Sequence, residues 1–310
     1  MNPPLKNVAE HVGARLPNKR KSTGEDYTQT LGRSRMERRF YRLSQSSHRE
    51  RFILKGAMLF TVWQGFPHRR TRDLDLLGTG DPAPSVVAAM FREIITEGSH
   101  QSDGVPFDAP TVQAEEIRSH EEYVGTRVTL LSHIAAARIP LQIDVGYGDA
   151  VTPAPLEKTF PGLLDFPSPV LRCYAPETVI AEKLDAIVSL GIINTRPKDH
   201  SDIWFFAQQS AWDGAILADT IRNTFERRAR PLHATLPEGL TEAFWNDPSR
   251  RAAWQAFWKR SIVGLSFIPL EDLVHSIAAF LLPPANAAAT GKAFAAQWKK
   301  GGPWTPQATE

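Results

Sequence analysis

The spacing of hydrophobic residues divides the chain into an N-terminal part of mixed period and a C-terminal part of helical period. Met36, Phe40 and Leu43 recur at the three-to-four-residue interval of a helix, which predicts a helix over 33–47. Short apolar runs with a period of two predict strands instead. The other elements predicted in this part are a strand, a turn and a helix within 51–63, a helix over 84–97, and strands over 71–77, 111–117, 123–131 and 139–146.

Beyond a proline-rich connection over 150–172, the hydrophobic pattern is helical. Pro176 suits the first turn of a helix, where a missing backbone N–H leaves no hydrogen bond unmade. Helices are predicted over 176–190, 199–209, 213–227, 239–246, 250–262, 269–282 and 289–300. The chain therefore predicts a bilobed α+β fold with a flexible basic arm (1–30), a small mixed α/β core (31–172) and a helical C-terminal domain (173–310).

The composition is that of an ordinary water-soluble protein. In the 310 residues, 42% are hydrophobic and 23% are charged, and no apolar run approaches the ~20 residues of a membrane span. The N-terminus lacks the apolar stretch of a signal peptide. Cys173 is the single cysteine, which excludes an internal disulfide and a cysteine-based zinc site. We therefore expect a cytoplasmic protein that does not enter a membrane.

Positive charge is concentrated near the N-terminus. Residues 1–72 carry a net charge of +11, whereas the whole chain carries +2. Such an imbalance indicates a polyanionic partner, although a merely solvated basic face has the same composition. On the helix predicted over 33–47, the positions that the apolar stripe leaves open hold four candidate RNA-binding residues, which are Arg35, Arg38, Arg39 and Arg42.

Three aspartates form a candidate metal site. Asp73 and Asp75 are two residues apart on a predicted strand, so their side chains lie on the same face and can share an ion. Asp144 interrupts another apolar strand, where an acid is costly unless it is paired or binds metal. Three carboxylates on adjacent strands can hold Mg²⁺, with Mn²⁺ as a possible substitute. The alternative is a set of exposed acids at strand ends.

A candidate phosphate site precedes these acids. Gly56 permits a tight turn, and the helix that begins after Ala57 offers its backbone N–H groups to a phosphate. Lys55 lies next to the turn, and Arg69 lies next to the acidic strand. Each is either a phosphate ligand or a simple surface charge. The alternative for Gly56 is a packing role at a strand-to-helix junction.

The helical part contributes a further candidate cluster. Lys183 lies next to the apolar face of the helix predicted over 176–190, where a solvated lysine is unusual and from where it can reach a triphosphate across a domain cleft. Asp199 and Asp202 share one side of the next helix near its positive end. The alternative is a helix cap with an ion pair to Arg196 or Lys198.

These motifs, taken in order, resemble the AbiEii toxin family, a branch of the polymerase-β-like nucleotidyltransferases that is similar to the mycobacterial MenT toxins. The resemblance covers about 35–210. Its motifs are Lys55-Gly56, Arg69-X-Thr71-X-Asp73-Leu74-Asp75-Leu76, Ile143-Asp144-Val145, Ala181-Glu182-Lys183 and Lys198-Asp199-X-X-Asp202.

The resemblance implies a toxin of a toxin–antitoxin pair that transfers nucleotides to the 3′ end of tRNA and so blocks translation. It implies Mg²⁺ bound by Asp73 and Asp75, a triphosphate held by Lys183, and an essential Asp199. The expected nucleotide-binding residues are Lys55, Gly56, Ala57, Arg69, Thr71, Lys183 and Asp202, and the expected catalytic residues are Asp73, Asp75, Lys183 and Asp199. Ala57 stands where relatives have Gly or Ser, which affects the expected nucleotide preference more than the reaction.

Two other functions share these residues. The same chemistry could act on a small molecule or a protein side chain, and the basic N-terminal third argues against a small neutral acceptor. A non-catalytic module would bind the metal–triphosphate and release no pyrophosphate. Pyrophosphate release therefore separates catalysis from binding.

Overall fold

The computed structural model describes residues 27–66, 69, 71, 74–97, 105–118, 124–134, 137–149, 151–262 and 264–307. They fall into two compact units. The first unit takes the described parts of 1–67, 71–148 and 156–173, and the second takes those of 68–70, 149–155 and 174–310. The expected mixed α/β fold with a helical C-terminal region is confirmed. The finer domain limits stay a prediction, and most of the arm expected over 1–30 lies outside the described residues.

The first unit is built on a mixed sheet, whose seven described strands follow the order β3-β4-β5-β2-β1-β7-β6. The β2–β5 and β1–β7 pairs are parallel, and the other pairs are antiparallel. Its elements are α1 (Tyr27–Gln45), β1 (Phe52–Lys55), α2 (Met58–Gln64), β2 (Leu74–Gly78), α3 (Pro84–Glu97), β3 (Phe107–Arg118), β4 (Val124–Ile134), β5 (Ala137–Tyr147), β6 (Leu156–Thr159) and β7 (Val170–Cys173).

The alternation of side chains gives the central strands two unlike faces. Leu54, Leu76 and Val145 are buried on one face, and the residues that precede or follow each of them point the other way. On the buried side, Phe52 of β1 packs against Phe91 of α3 with ring centroids 5.3 Å apart. The apolar face anchors the sheet and leaves the opposite face available for polar residues.

The segment 150–172, predicted only as a proline-rich connection, contains β6 and most of β7. All five of its prolines lie outside these two strands, so none removes a hydrogen bond from their ladder. Cys173 ends β7 opposite Leu54 and is fully buried, and this burial raises the pKa of its thiol to about 12.

The second unit is mainly helical. It also has a small sheet in the order β10-β9-β8. Its elements are α4 (Pro176–Leu190), α5 (Pro197–Gln209), β8 (Trp212–Asp213), α6 (Gly214–Arg227), α7 (Glu242–Trp245), α8 (Pro248–Ser261), α9 (Leu270–Thr290), β9 (Ala296–Trp298) and β10 (Trp304–Pro306).

The helix expected over 289–300 is wrong. Helix α9 continues through Pro283 and Pro284 to Thr290 and is capped by Gly291, which has a φ of 65°. The chain then forms β9 and β10, because Trp298 and Trp304 pack on Phe280 with ring centroids 5.0 and 5.9 Å away. Aromatic packing therefore overrides the helical propensity of the preceding alanines.

Helix α9 is the one described helix that is long and apolar enough to cross a membrane by length and composition. This differs from the expectation that no apolar run approaches that length. Half of its most apolar window is buried inside the fold, where Leu273, Ile277 and Phe280 contribute to the core. The helix therefore has the burial of a core helix.

Candidate active site

The turn at Gly56 and the carboxylate of Asp75 are in direct apposition in the first unit. Gly56 has a φ of 70°, and a Cβ placed on it would lie 2.7 Å from Asp75 Cγ. Neither the backbone conformation nor the available space suits another residue. Ala57, which follows, is buried and forms the N-cap of α2. The sequence therefore folds the small-residue turn onto one of its predicted catalytic acids.

Strand register extends this contact into a row of charges. Lys55 on β1 is the cross-strand neighbour of Asp75, which is in turn the neighbour of Asp144 on β5. Asp144 pairs in register with Arg127 on β4, and Arg127 with Glu115 on β3. Side chains directly opposite one another lie on the same face of a sheet. One face of the first unit thus carries a charged row formed by Lys55, Asp75, Asp144, Arg127 and Glu115.

Arg127 is a member of this row that the sequence analysis did not single out. Its Nε and Nη2 donate to the two carboxylate oxygens of Asp144, each at 2.9 Å. Gln142 Nε2 donates to the same oxygens at 3.3 Å. The only signal in the sequence is an arginine within an alternating strand, and its significance depends on the register of β4 against β5.

The expected three-acid metal site is only partly described. Asp73 lies outside the described residues, and Thr71 is described only as half-buried. Within the described part of the chain, no group of three His, Cys, Asp or Glu residues could hold a metal ion. Asp75 and Asp144 are adjacent, but Arg127 occupies both oxygens of Asp144. The structure therefore brings two of the three acids together.

The second unit holds the other candidate cluster, which is a buried ion-pair network. Lys183 Nζ on α4 lies 2.9 Å from Asp199 Oδ1 and 2.7 Å from Asp202 Oδ2, both on α5. Arg69 binds Asp202 with Nε at 2.7 Å and Nη2 at 3.0 Å. Arg196 Nε lies 2.9 Å from Asp199 Oδ2. Two carboxylates thus meet three cations, and Arg69, expected as a phosphate ligand, is engaged by Asp202.

Charge in this network is fixed by its partners. Burial alone would lower the pKa of Lys183, but the charges of Asp199 and Asp202 outweigh burial and raise it. For Asp199, burial acts to raise the pKa, and Lys183 and Arg196 reverse that effect and lower it. Lys183 and Asp199 are therefore both ionised at neutral pH. Lys183 is thus a buried cation held between two carboxylates.

A second network lies beside Lys183 on the same helix. Arg228 donates from Nη1 to Asp185 Oδ2 at 2.6 Å and from Nη2 to Asp149 Oδ1 at 3.0 Å. Its Nη2 is also 3.5 Å from Glu182 Oε1. The sequence analysis missed Arg228, because its partners are 43 and 79 residues away. These contacts fix the helix that carries Lys183.

The expected exposed arginine face of α1 is wrong. Arg35, Arg38, Arg39 and Arg42 are all buried. Arg38 donates to Glu37 Oε1 at 2.5 Å and to the Pro167 carbonyl at 2.7 Å, and Arg42 donates to the Val105 carbonyl at 2.8 Å. The apolar stripe marks one buried side of α1, but other chain segments also cover the basic side. These arginines therefore do not present a surface to RNA phosphates.

The chain matches a known protein family over most of its length. The family model "Nucleotidyl transferase AbiEii toxin, Type IV TA system" matches residues 38–273. No curated protein matches the chain.

Two solved structures from Helicobacter pylori are similar. One is assigned as a candidate nucleotidyltransferase and has 13% identity and a TM-score of 0.47, covering 86% of this chain and 97% of that one. The other is JHP933, with 13% identity and a TM-score of 0.49, covering 86% and 94%.

The family match covers candidate residues in both units. It includes the Gly56 turn, the charged row and the Lys183 network. The resemblance inferred from the five ordered motifs is thereby confirmed. The chain belongs to the AbiEii family of toxin nucleotidyltransferases.

Proposed function

We propose that this nucleotidyltransferase transfers a nucleoside monophosphate from a nucleoside triphosphate to RNA, at the 3′ end of tRNA, and thereby blocks translation in the cytoplasm. The family implies a cognate antitoxin and a nucleoside triphosphate substrate. The observation that carries the proposal is the apposition of Asp75 with the Gly56 turn, which places a hard anionic ligand beside backbone N–H groups that suit phosphate.

The residues of the charged row suit a divalent metal in part. Gly56 leaves space for the Asp75 carboxylate, and Asp75 and the predicted Asp73 would hold Mg²⁺ or Mn²⁺. When bound, the metal supplies charge neutralisation for the triphosphate and polarisation of the attacking hydroxyl. Asp144 would join as a third ligand only if Arg127 released one of its oxygens. We therefore assign Asp144 and Arg127 to ordering the row.

The remaining residues have roles in positioning. We assign the backbone of Gly56 and Ala57, with Lys55 and Thr71, to the phosphates, and Lys183 to the triphosphate as a point charge. Asp199 and Asp202 hold Lys183 in place and keep it charged, and Arg69 restrains Asp202. The transfer joins the 3′ hydroxyl oxygen to the α-phosphorus, releases pyrophosphate and liberates the hydroxyl proton.

A labelled-transfer assay tests this proposal. Purified protein, Mg²⁺ and total tRNA are incubated with each of the four α-labelled nucleoside triphosphates. We expect label in tRNA with the wild type and none with Asp75→Asn. The control Glu115→Gln lies in the same row, on the edge strand, and should retain activity.

Other outcomes of the assay contradict parts of the proposal. Label in a protein or a small molecule would replace the RNA acceptor and retain the reaction. Triphosphate binding with no pyrophosphate release would indicate a binding module.

A further inference from the structure

The second unit contains a cavity of about 210 Å³ beside the start of α5. Its floor is buried and mostly aromatic, formed by His200, Phe244, Trp254 and Leu270. Its mouth carries exposed residues, including Ala253. The cavity shares its helix with Asp199, which is next to His200 in the chain. None of its lining residues has a role assigned in the proposed transfer.

The lining residues include stacked rings and a buried hydrogen-bond donor without a partner. The rings of His200 and Phe244 stack with centroids 4.9 Å apart and an interplanar angle of 12°. Asn194 is buried, and its Oδ1 accepts a hydrogen bond from Arg196 N at 2.7 Å, which fixes the orientation of the amide. Its Nδ2 has no hydrogen-bond partner. A buried donor without an acceptor is costly, and a ligand acceptor would satisfy it.

The charges around the cavity define the ligand further. Among the described lining residues there is no carboxylate. The guanidinium of Arg250 lies 4.7 Å from the Phe244 ring centroid and donates to the Asn194 carbonyl at 2.8 Å. Burial lowers the pKa of His200, which therefore contributes an uncharged ring at neutral pH. The cavity is thus suited to a flat ring with an acceptor atom and an attached anionic group.

From this arrangement we infer that the cavity binds a nucleobase. A cavity of about 150 Å³ admits benzene, so this one has room for a single base but not for a whole nucleotide. The base packs on the aromatic floor, Asn194 Nδ2 donates to its acceptor, and the attached phosphate lies toward Arg250. This inference rests on the proposed function. The base belongs either to a free nucleotide or to the unpaired end of an RNA acceptor.

The inference is tested by direct titration of the full-length protein, without metal or turnover, so its failure is distinguishable from failure of the transfer assay. The probes are cytidine 5′-monophosphate, the RNA trinucleotide CCA and ribose 5-phosphate, which lacks a base. We expect the first two to bind and ribose 5-phosphate to bind at least tenfold more weakly. Tighter binding of CCA than of the mononucleotide identifies an RNA end as the source, and the reverse order identifies a free nucleotide.

Two variants and a control locate the binding. Ala253→Trp fills the mouth of the cavity, and Asn194→Asp retains the acceptor for Arg196 N but removes the buried donor. Each should weaken binding at least tenfold. Ala252→Trp adds the same bulk at an exposed neighbour outside the lining and should leave binding unchanged.

Three results would overturn the inference. The first is that ribose 5-phosphate binds as tightly as the base-containing probes. The second is that Ala253→Trp binds them unchanged and has an unaltered melting temperature. The third is that neither base-containing probe binds at about 10 mM.

Discussion

The charged row of the first unit and the Lys183 network of the second use the same residue types in opposite surroundings. In the row, the side chains of Asp144 and Arg127 are 23% and 34% exposed. In the network, those of Asp199 and Asp202 are 2% and 0% exposed. Water can replace a partner lost from the row, whereas a partner lost from the network leaves a buried charge unpaired.

In the reaction proposed above, the two clusters would therefore have different duties. Groups that must bind and release a metal or a phosphate need partners that can be exchanged, as a partly exposed row allows. A lysine that must remain cationic needs neighbours that cannot leave. Mutations should therefore affect activity without stability in the row, and stability together with activity in the network.

The largest expected effect is on activity. Asp75→Asn should lower the transfer rate by about 10³-fold or more, because it removes an anionic metal ligand while keeping the side-chain shape. The melting temperature should change little. Steady-state kinetics and calorimetry check both statements. Full activity of the Asp75→Asn variant would show that Asp75 is not an active-site residue.

Lys183→Met should produce the largest loss of stability. Removing one partner of a buried ion pair costs about 3–5 kcal/mol, here by leaving Asp199 and Asp202 without their shared cation. Urea unfolding measures the loss. Adding Asp199→Asn should restore part of it, because one buried carboxylate is then neutral and Asp202 keeps Arg69 as its partner. A stable Lys183→Met protein would show that water or another group can replace Lys183 in the network, as it can replace a partner in the charged row.

The network should also give stability a definite pH range. The lowered pKa of Asp199 stabilises the fold above the ordinary aspartate value of about 3.9, and this contribution is lost as pH falls through the lower folded-state pKa. The raised pKa of Lys183 stabilises the fold below about pH 10.4, and this contribution is lost as pH rises through the higher folded-state pKa. The double variant Lys183→Met/Asp199→Asn, which lacks both titrating groups, should show a flatter profile of unfolding free energy against pH.

A matched pair of glycines tests the turn beside the row. Gly56 and Gly65 have φ values of 70° and 80°, so alanine at either should cost about 1–3 kcal/mol. Only at Gly56 does the added Cβ meet Asp75, because nothing lies within 4 Å of the Cβ position at Gly65. Activity of the folded protein should therefore fall about tenfold or more in Gly56→Ala alone. Equal activities of the Gly56→Ala and Gly65→Ala variants would show that the Gly56 turn does not contribute to catalysis.

Two adjacent arginines on α1 should respond in opposite directions. The three guanidinium nitrogens of Arg39 are buried without hydrogen-bond partners, and burial together with Arg35 lowers its pKa to about 9. Arg39→Met should raise the unfolding free energy by about 1 kcal/mol. Arg38→Met should lower it by about 1–3 kcal/mol, because Arg38 binds Glu37 and the Pro167 carbonyl. Thermal unfolding of both variants distinguishes these signs.

The parts of the molecule that sequence could predict depend on local patterns. Asp75 lies between the buried residues Leu74 and Leu76, and the buried Leu77 follows. This short alternation is enough to predict a strand whose acid lies on the face opposite Leu74 and Leu76. Each family motif likewise spans only a few residues. Helix periodicity gave most of the second unit for the same reason.

The parts that could not be predicted depend on contacts distant in sequence. Arg127 gains its role only when β4 pairs with β5, and Arg69 meets Asp202 across 133 residues. The arginines of α1 are correctly placed on a helix, but their burial depends on segments such as those around Val105 and Pro167. Charge in a sequence therefore predicts a surface only when nothing else covers it.

The burial of Cys173 has a practical consequence for measuring the motions of this enzyme. A fully buried thiol with a pKa near 12 carries almost no thiolate at neutral pH and should resist maleimide reagents. Because it is the single cysteine of the chain, it need not be removed before new ones are introduced. A cysteine added at an exposed position such as Ala252 would accept a fluorescent or spin label at one defined site in an otherwise native chain.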